Sequence, residues 1–489
     1  MAHSGKETAG PTSTKGGKVR FRAALLSLVL SLAHSSSGRV LLRWNVDSVP
    51  SAGKMGIHDL VIPWNPEKLS LLQNAVRSGY RVYAQAPLDD AEAAAKSGSK
   101  IGVAGIIAEP GDESRDAAET KLRRLRIEYP KLTFWLLNPN ALQPKMRGTL
   151  VINHNGILQA TSPTAQPWVD TNLALISLEK MFFPQQPAVY SFAWELNGLA
   201  AKQGPEVQDY ALAISEAGAF QADVVLQLHE SLMQGLAQGD SAAWELWRQE
   251  LKYLQFYQGT HTPSLSEANV ALVAEDDPSS FEPVNLLVRH NVGVRVLSPI
   301  GLNQTALRGF RVVVVLATAK AFAIQTLLQF ARGGGTVVLL NPEKQAYPWH
   351  AAKTSDSNEN SVTYSIAKGR IIELLKPISD PESFAQDIRA LVPNDELKLS
   401  LWNALTVIGV MRQEHNTRVI ELLNYALDPL DVQIRVKGEY DSVTFETPEH
   451  GCCTQLTPSV SKGFTEFTAP SLYIAGRVRL EETHIMHGK

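Results

Sequence analysis

The sequence predicts an α/β chain in three parts: a (β/α)8 TIM-like barrel over residues 38–260, a doubly wound open α/β domain over 265–397 and a small β-sandwich over 398–489. Three observations carry this. Short apolar runs alternate with amphipathic stretches up to about residue 258, the rhythm of parallel strands joined by crossover helices. Continuous Val-rich runs such as "RVVVVLA" (311–317) then suit strands covered on both faces. Beyond 398 the runs alternate apolar and polar residues between Gly and Pro turns.

In the first part, strands are expected at 40–46, 59–64, 81–86, 103–109, 133–138, 149–153, 188–195 and 223–230, enough units to close a barrel. Between them, "PEKLSLLQNAVRSG" (66–79) sets Leu69, Leu72, Ala75 and Val76 on one helical face and stops on Gly79. Helices over 114–130 and 171–183 each end ahead of a proline.

The second part reads as strands at 268–276, 293–298, 311–317 and 335–341, with helices at 283–291 and 320–334. The polar run 350–361 reads as an exposed loop. "RGGGTVVLLNP" (332–342) has its glycines after a helix and before a strand, the reverse of a nucleotide cradle, so it reads as a helix C-cap and turn. Strands at 417–426, 431–438, 442–448, 465–470 and 471–481 form the tail.

A net charge of −3 with no basic stripe argues against a nucleic-acid partner. Cys452 and Cys453 are the only cysteines and are adjacent. A bond between neighbours closes a strained ring, so no structural disulfide is expected, and no metal-ligand spacing is present. Residues 1–37 read as a signal peptide with a disordered N-terminus. Lys15, Lys18, Arg20 and Arg22 precede the apolar run 23–33, which is too short to span a bilayer, and Ala33-x-Ser35 suits a signal peptidase. The expectation is an exported protein, periplasmic or extracellular, without a stable membrane span.

Barrel active sites lie where the strands end at their C-termini. There the sequence places Asp47, Trp64, Glu109, Asn138, Asn153, Trp168, Asp170, Glu195 and Glu230. Carboxylates and amides bond hydroxyls and indoles stack on ring faces, so the set suits a sugar. Glu109 and Glu195 form the expected catalytic pair, one acid/base and one nucleophile, about 5–5.5 Å apart in a retaining glycosidase. Asp47, Trp64, Asn138, Asn153, Trp168, Asp170 and Glu230 are the expected substrate-binding residues. His154 and His229 stand alone, so no metal and no cofactor is expected. The structural reading of Glu109 is a strand end ahead of an ordinary Pro110-Gly111 turn.

In this order of parts, with "FARGGGTVVLLNP" in the middle, the chain resembles the family-42 β-galactosidases. The resemblance implies a catalytic barrel, a flavodoxin-like, amidotransferase-like middle domain without that activity, trimerisation through it, and a small C-terminal β domain. It also implies an acid/base at the end of strand four and a nucleophile at the end of strand seven, which Glu109 and Glu195 match by count. One departure is plain: the clan usually carries Asn before the acid/base, and this chain carries Ala108. The functions in competition are a secreted retaining glycoside hydrolase, a non-catalytic glycan-binding or scaffold protein on a degenerate barrel, and another barrel enzyme built on His154, Asp170 or Glu230.

Overall fold

A computed structural model describes residues 38–138, 153–154, 157–161, 167–169, 172–182, 184, 188–191, 204–258, 265–275, 280–316, 321–340, 347–376, 381–426 and 428–482. The expected leader lies outside them.

Among the described residues the barrel has seven parallel strands: β1 (Val40–Arg43), β2 (Asp59–Pro63), β3 (Arg81–Pro87), β4 (Gly105–Glu109), β5 (Thr133–Leu136), β9 (Val189–Tyr190) and β10 (Asp223–Gln227), in the order β5-β4-β3-β2-β1-β10-β9. Asn138 closes the ring. Its backbone N–H donates to the Val189 carbonyl at 3.2 Å. Its side-chain amide donates to the Ser191 carbonyl at 3.1 Å and accepts from the Ser191 N–H at 2.9 Å. The strand expected at 149–153 is not among the described barrel strands. Asn153 and His154 instead form β6 (Asn153–His154), which pairs antiparallel with β7 (Ile157–Thr161), itself paired with β8 (Pro167–Val169).

Side chains divide by the two-residue period of a strand. Leu41, Val61, Tyr83, Ile107, Trp135, Val189 and Val225 fill the barrel interior. The alternate set, with Leu42, Leu60, Ile62, Ala84, Ile106, Ala108 and Leu226, packs outward on the helices. These are α1 (Ala52–Met55), α2 (Leu69–Arg77), α3 (Ala91–Ile101), α4 (Arg115–Glu128), α5 (Leu173–Phe182), α6 (Val207–Phe220), α7 (Glu230–Gln238) and α8 (Ser241–Tyr257). Ser114 and Asp240 cap α4 and α8 by accepting from backbone N–H groups of the first turn.

The strands' N-terminal ends carry a floor of ion pairs. Arg39 holds Asp223 with Nη2 at 2.6 Å, and Arg81 grips Asp59 at 2.5 and 2.6 Å. Above them Tyr83 stacks on Trp135 at 4.8 Å, and the Arg39 guanidinium lies 4.6 Å from the Trp135 ring. The buried Asp223 carboxylate persists as a charge because Arg39 pairs with it.

The middle domain is a seven-stranded sheet in the order β12-β11-β13-β14-β17-β16-β15. Strands β11 (Val270–Val273), β12 (Val294–Leu297), β13 (Val312–Val315), β14 (Thr336–Leu340) and β17 (Gly369–Leu374) are parallel, with α9 (Phe281–Arg289), α10 (Ala321–Arg332) and α11 (Pro381–Ala390) around them. The run 350–361 is corrected from loop to sheet edge: β15 (Thr354–Ser357) pairs antiparallel with β16 (Ser361–Ile366). The glycines after α10 act as a turn. Gly334 takes φ +107°, and a Cβ on Gly335 would lie 2.2 Å from the Phe330 ring.

The tail is a β-sandwich. One sheet is ordered β18-β21-β25-β24, from β18 (Leu399–Trp402), β21 (Leu430–Lys437), β24 (Ser459–Ser461) and β25 (Phe464–Leu472). The other is ordered β19-β20-β26-β22-β23, from β19 (Val407–Glu414), β20 (Thr417–Asn424), β22 (Tyr440–Thr447), β23 (Gly451–Gln455) and β26 (Ala475–Glu482). Cys452 and Cys453 stand side by side on the exposed β23. The sandwich is tied to the barrel. Buried Glu216 on α6 accepts from Asn172 and, at 2.8 Å, from the Tyr425 hydroxyl. Arg477 on β26 pairs with Glu421 at 2.7 Å and lies 4.5 Å from the Phe256 ring of α8.

Candidate active site

Inward parity selects what reaches the barrel mouth. Counting two residues up from the interior layer gives Arg43 after Leu41, Pro63 after Val61, Gln85 after Tyr83, Glu109 after Ile107, Leu137 after Trp135, Ser191 after Val189 and Gln227 after Val225. Five of these seven are polar, above an apolar layer. Glu109 closes β4 and is half-buried, and the Gln85 amide N–H donates to its Oε1. Gln85 is buried, and its own Oε1 has no hydrogen-bond partner among the described residues. Across the ring, Arg43 Nη1 donates to Gln227 Oε1 at 3.1 Å. The layer below is dry enough that burial raises the pKa of the Tyr83 hydroxyl, with Arg39 opposing.

Of the residues named from sequence, Glu109 stands in this mouth. Asn138 is beside it, but its amide is spent on closing the ring. Trp64 belongs to the outward set with Leu60 and Ile62, and its indole N–H donates to Ser97 Oγ of α3 at 3.0 Å. It is a packing residue there, not a platform over the mouth. Asp47 is exposed on the loop after β1, where the Trp44 indole N–H donates to the Val46 and Ser48 carbonyls at 2.9 and 3.1 Å. Glu230 is exposed on the first turn of α7 and accepts from Gln234 at 2.8 Å. His229 caps that helix and contacts Ser231 Oγ through Nδ1 at 2.8 Å. Asn153 and His154 lie on β6, and Trp168 lies on β8, where it pairs with Ala160. Asp170 and Glu195 lie outside the described residues, the latter five positions beyond the end of β9.

Sequence reasoning missed Arg43 and Gln227 as members of the mouth. The signal was the two-residue period, applied from one interior residue of each strand. Among the described residues, one group has metal-ligating atoms close together, Glu446 with Cys452 and Cys453 on the sandwich.

A parallel barrel, a doubly wound sheet and a sandwich in this order form a glycoside hydrolase-like fold. The chain is similar to α-L-fucosidase isoenzyme 2 from Paenibacillus thiaminolyticus, with TM-score 0.59 and 11% identity over 92% of this chain and 100% of that one. It is also similar to Gan42B, a GH42 β-galactosidase from G. stearothermophilus, with TM-score 0.54 and 11% identity over 92% of this chain and 98% of that one. The resemblance to family 42 read from the order of parts thus extends to the folded chain. No protein-family model matches the sequence, and no curated protein does. No helix among the described residues is long and apolar enough to cross a membrane.

Proposed function

We propose that the chain is an exported glycoside hydrolase that cleaves a glycosidic bond at the C-terminal mouth of its barrel by a retaining two-carboxylate mechanism. The observation that carries this is Glu109: a carboxylate at the end of β4, on the inward face, hydrogen-bonded by Gln85. Glu109 acts as acid/base and Glu195, beyond β9, as nucleophile. Arg43 and Gln227, across the mouth, bond substrate hydroxyls. Both solved structures named above carry glycosidase names, which supports a carbohydrate substrate.

The test is turnover of a panel of aryl glycosides by the purified chain. Glu109→Gln and Glu195→Gln are each expected to lower kcat/KM by about 10²–10⁴. Turnover unaffected by both substitutions sinks the mechanism.

A second reading, a non-catalytic glycan binder, is favoured by Ala108. It is fully buried on the outward face and offers only a methyl group where the clan usually carries an amide. Glycan binding without turnover of any substrate selects it.

A further inference from the structure

Where α5, the edge strand β12 and strand β19 meet, the chain forms a half-open cavity of about 380 Å³. Ile176, Met181, Phe220, Val284 and Val288 give it an apolar wall. The lining also carries four cations: Lys180 from α5, Arg295 from β12, Lys398 from just before β18 and Arg412 from β19. Among the described lining residues Glu267 is the single carboxylate. It is already committed, with Oε1 at 3.0 Å from Arg418 Nε and Oε2 at 3.7 Å from Lys398 Nζ.

Lys180 and Arg295 rest on neutral oxygens, and Arg412 combines a carbonyl with nearby carboxylates. Lys180 Nζ donates to the Phe220 carbonyl at 2.8 Å. Arg295 donates twice to the Ser266 carbonyl, at 2.6 and 3.2 Å. Arg412 donates to the Ala219 carbonyl, with Glu421 and Glu414 in its field. Carbonyls satisfy donors but do not neutralise charge, so Arg295 and protonated Lys180 have no carboxylate bonded to them. Burial lowers the pKa of all four groups, and that of Lys180 falls to about 7, with Arg412 adding to the fall and Asp223 opposing it. The cavity is of small-ligand size, within the usual ~300–1,000 Å³.

We propose that this cavity binds a small organic anion, its phosphate or carboxylate head on Lys180, Arg295 and Lys398 and its compact apolar body against Ile176, Met181 and Phe220. The site is distinct from the barrel mouth. Lys180 stands in the last turn of α5, within the field of Asp223 at the opposite, N-terminal end of the strands. A ligand there touches the barrel, the middle domain and the sandwich together, so its occupancy bears on how they hold to one another.

The test uses the full chain with no sugar present, so its outcome is independent of glycosidase activity. Phenyl phosphate, benzoate and the neutral benzyl alcohol are titrated by calorimetry at constant ionic strength, with thermal unfolding followed in parallel. At least one anion is expected to bind one-to-one with saturation and to raise the Tm, and the arm that binds identifies the head group. Benzyl alcohol is expected to do neither. Lys180→Met and Arg295→Gln are each expected to weaken binding tenfold or more, while Arg124→Gln, on the exposed face of α4, leaves it unchanged. If Lys180→Met does not fold, Arg295→Gln decides alone, since Arg295 is only half-buried. Saturation by neither anion, equal binding of benzyl alcohol, or unchanged affinity in Arg295→Gln overturns the proposal.

Discussion

Glu250 shows how sharply a single residue feels its surroundings. It sits fully buried on α8, and neither carboxylate oxygen has a hydrogen-bond partner among the described residues. Burial pushes its pKa well above the usual carboxylate range, and Asp209 on α6 adds to the rise. Asp209 itself is raised to about 7, chiefly by burial, with the Glu206 N–H opposing. The sign follows from linkage: both groups hold their protons more tightly folded than unfolded, so their contribution is full below about pH 4 and is lost as pH rises toward 7 and beyond. Glu250→Gln is expected to remove the larger part of that loss, raising stability at pH 8 by about 1–3 kcal/mol. Denaturant unfolding of both proteins at pH 5 and pH 8 checks this, and a gap that does not widen with pH contradicts it. Tyr425→Phe tests the opposite case. It strips a donor from the buried Glu216 carboxylate and is expected to cost about 1–3 kcal/mol, read from the same unfolding curves.

At the scale of elements, the strands were legible where burial forces an apolar run, as in "RVVVVLA" and "DVVLQLHE". The β15–β16 hairpin was not, because "TSDS" is exposed throughout and carries no apolar period. Strands β18 and β19, each at the edge of its sheet, were missed. The site was legible in the same uneven way. Glu109 ends its strand visibly. Trp64 misled because β2 is apolar on both faces, so nothing in the sequence says which alternate set turns inward. Glycine marks a tight contact between elements. A Cβ on Gly218 of α6 would lie 2.2 Å from the buried Tyr257 ring of α8. Gly218→Ala is therefore expected to destabilise by about 1–3 kcal/mol despite the better helix propensity of alanine, and a Tm equal to or above that of the parent chain contradicts the packing argument.

Across the whole molecule, the sandwich acts as a brace for the barrel. Tyr425, Arg412 and Arg477 reach into α6 and α8 through buried polar contacts that solvent cannot replace cheaply. Barrel and tail are expected to unfold in one calorimetric transition, and truncation after residue 397 is expected to abolish that transition rather than leave a barrel with unchanged Tm. None of these cross-contacts was legible in the sequence, since each joins residues about 190–220 positions apart that no local pattern connects.

Carboxylate-driven glycoside cleavage at the barrel mouth is tested by turnover of an aryl glycoside panel with the parent chain, Glu109→Gln and Glu195→Gln side by side. The parent chain is expected to hydrolyse at least one glycoside measurably, and each variant to lose about 10²–10⁴ in kcat/KM. Hydrolysis that survives both substitutions, or a glycan bound tightly with none cleaved, contradicts it.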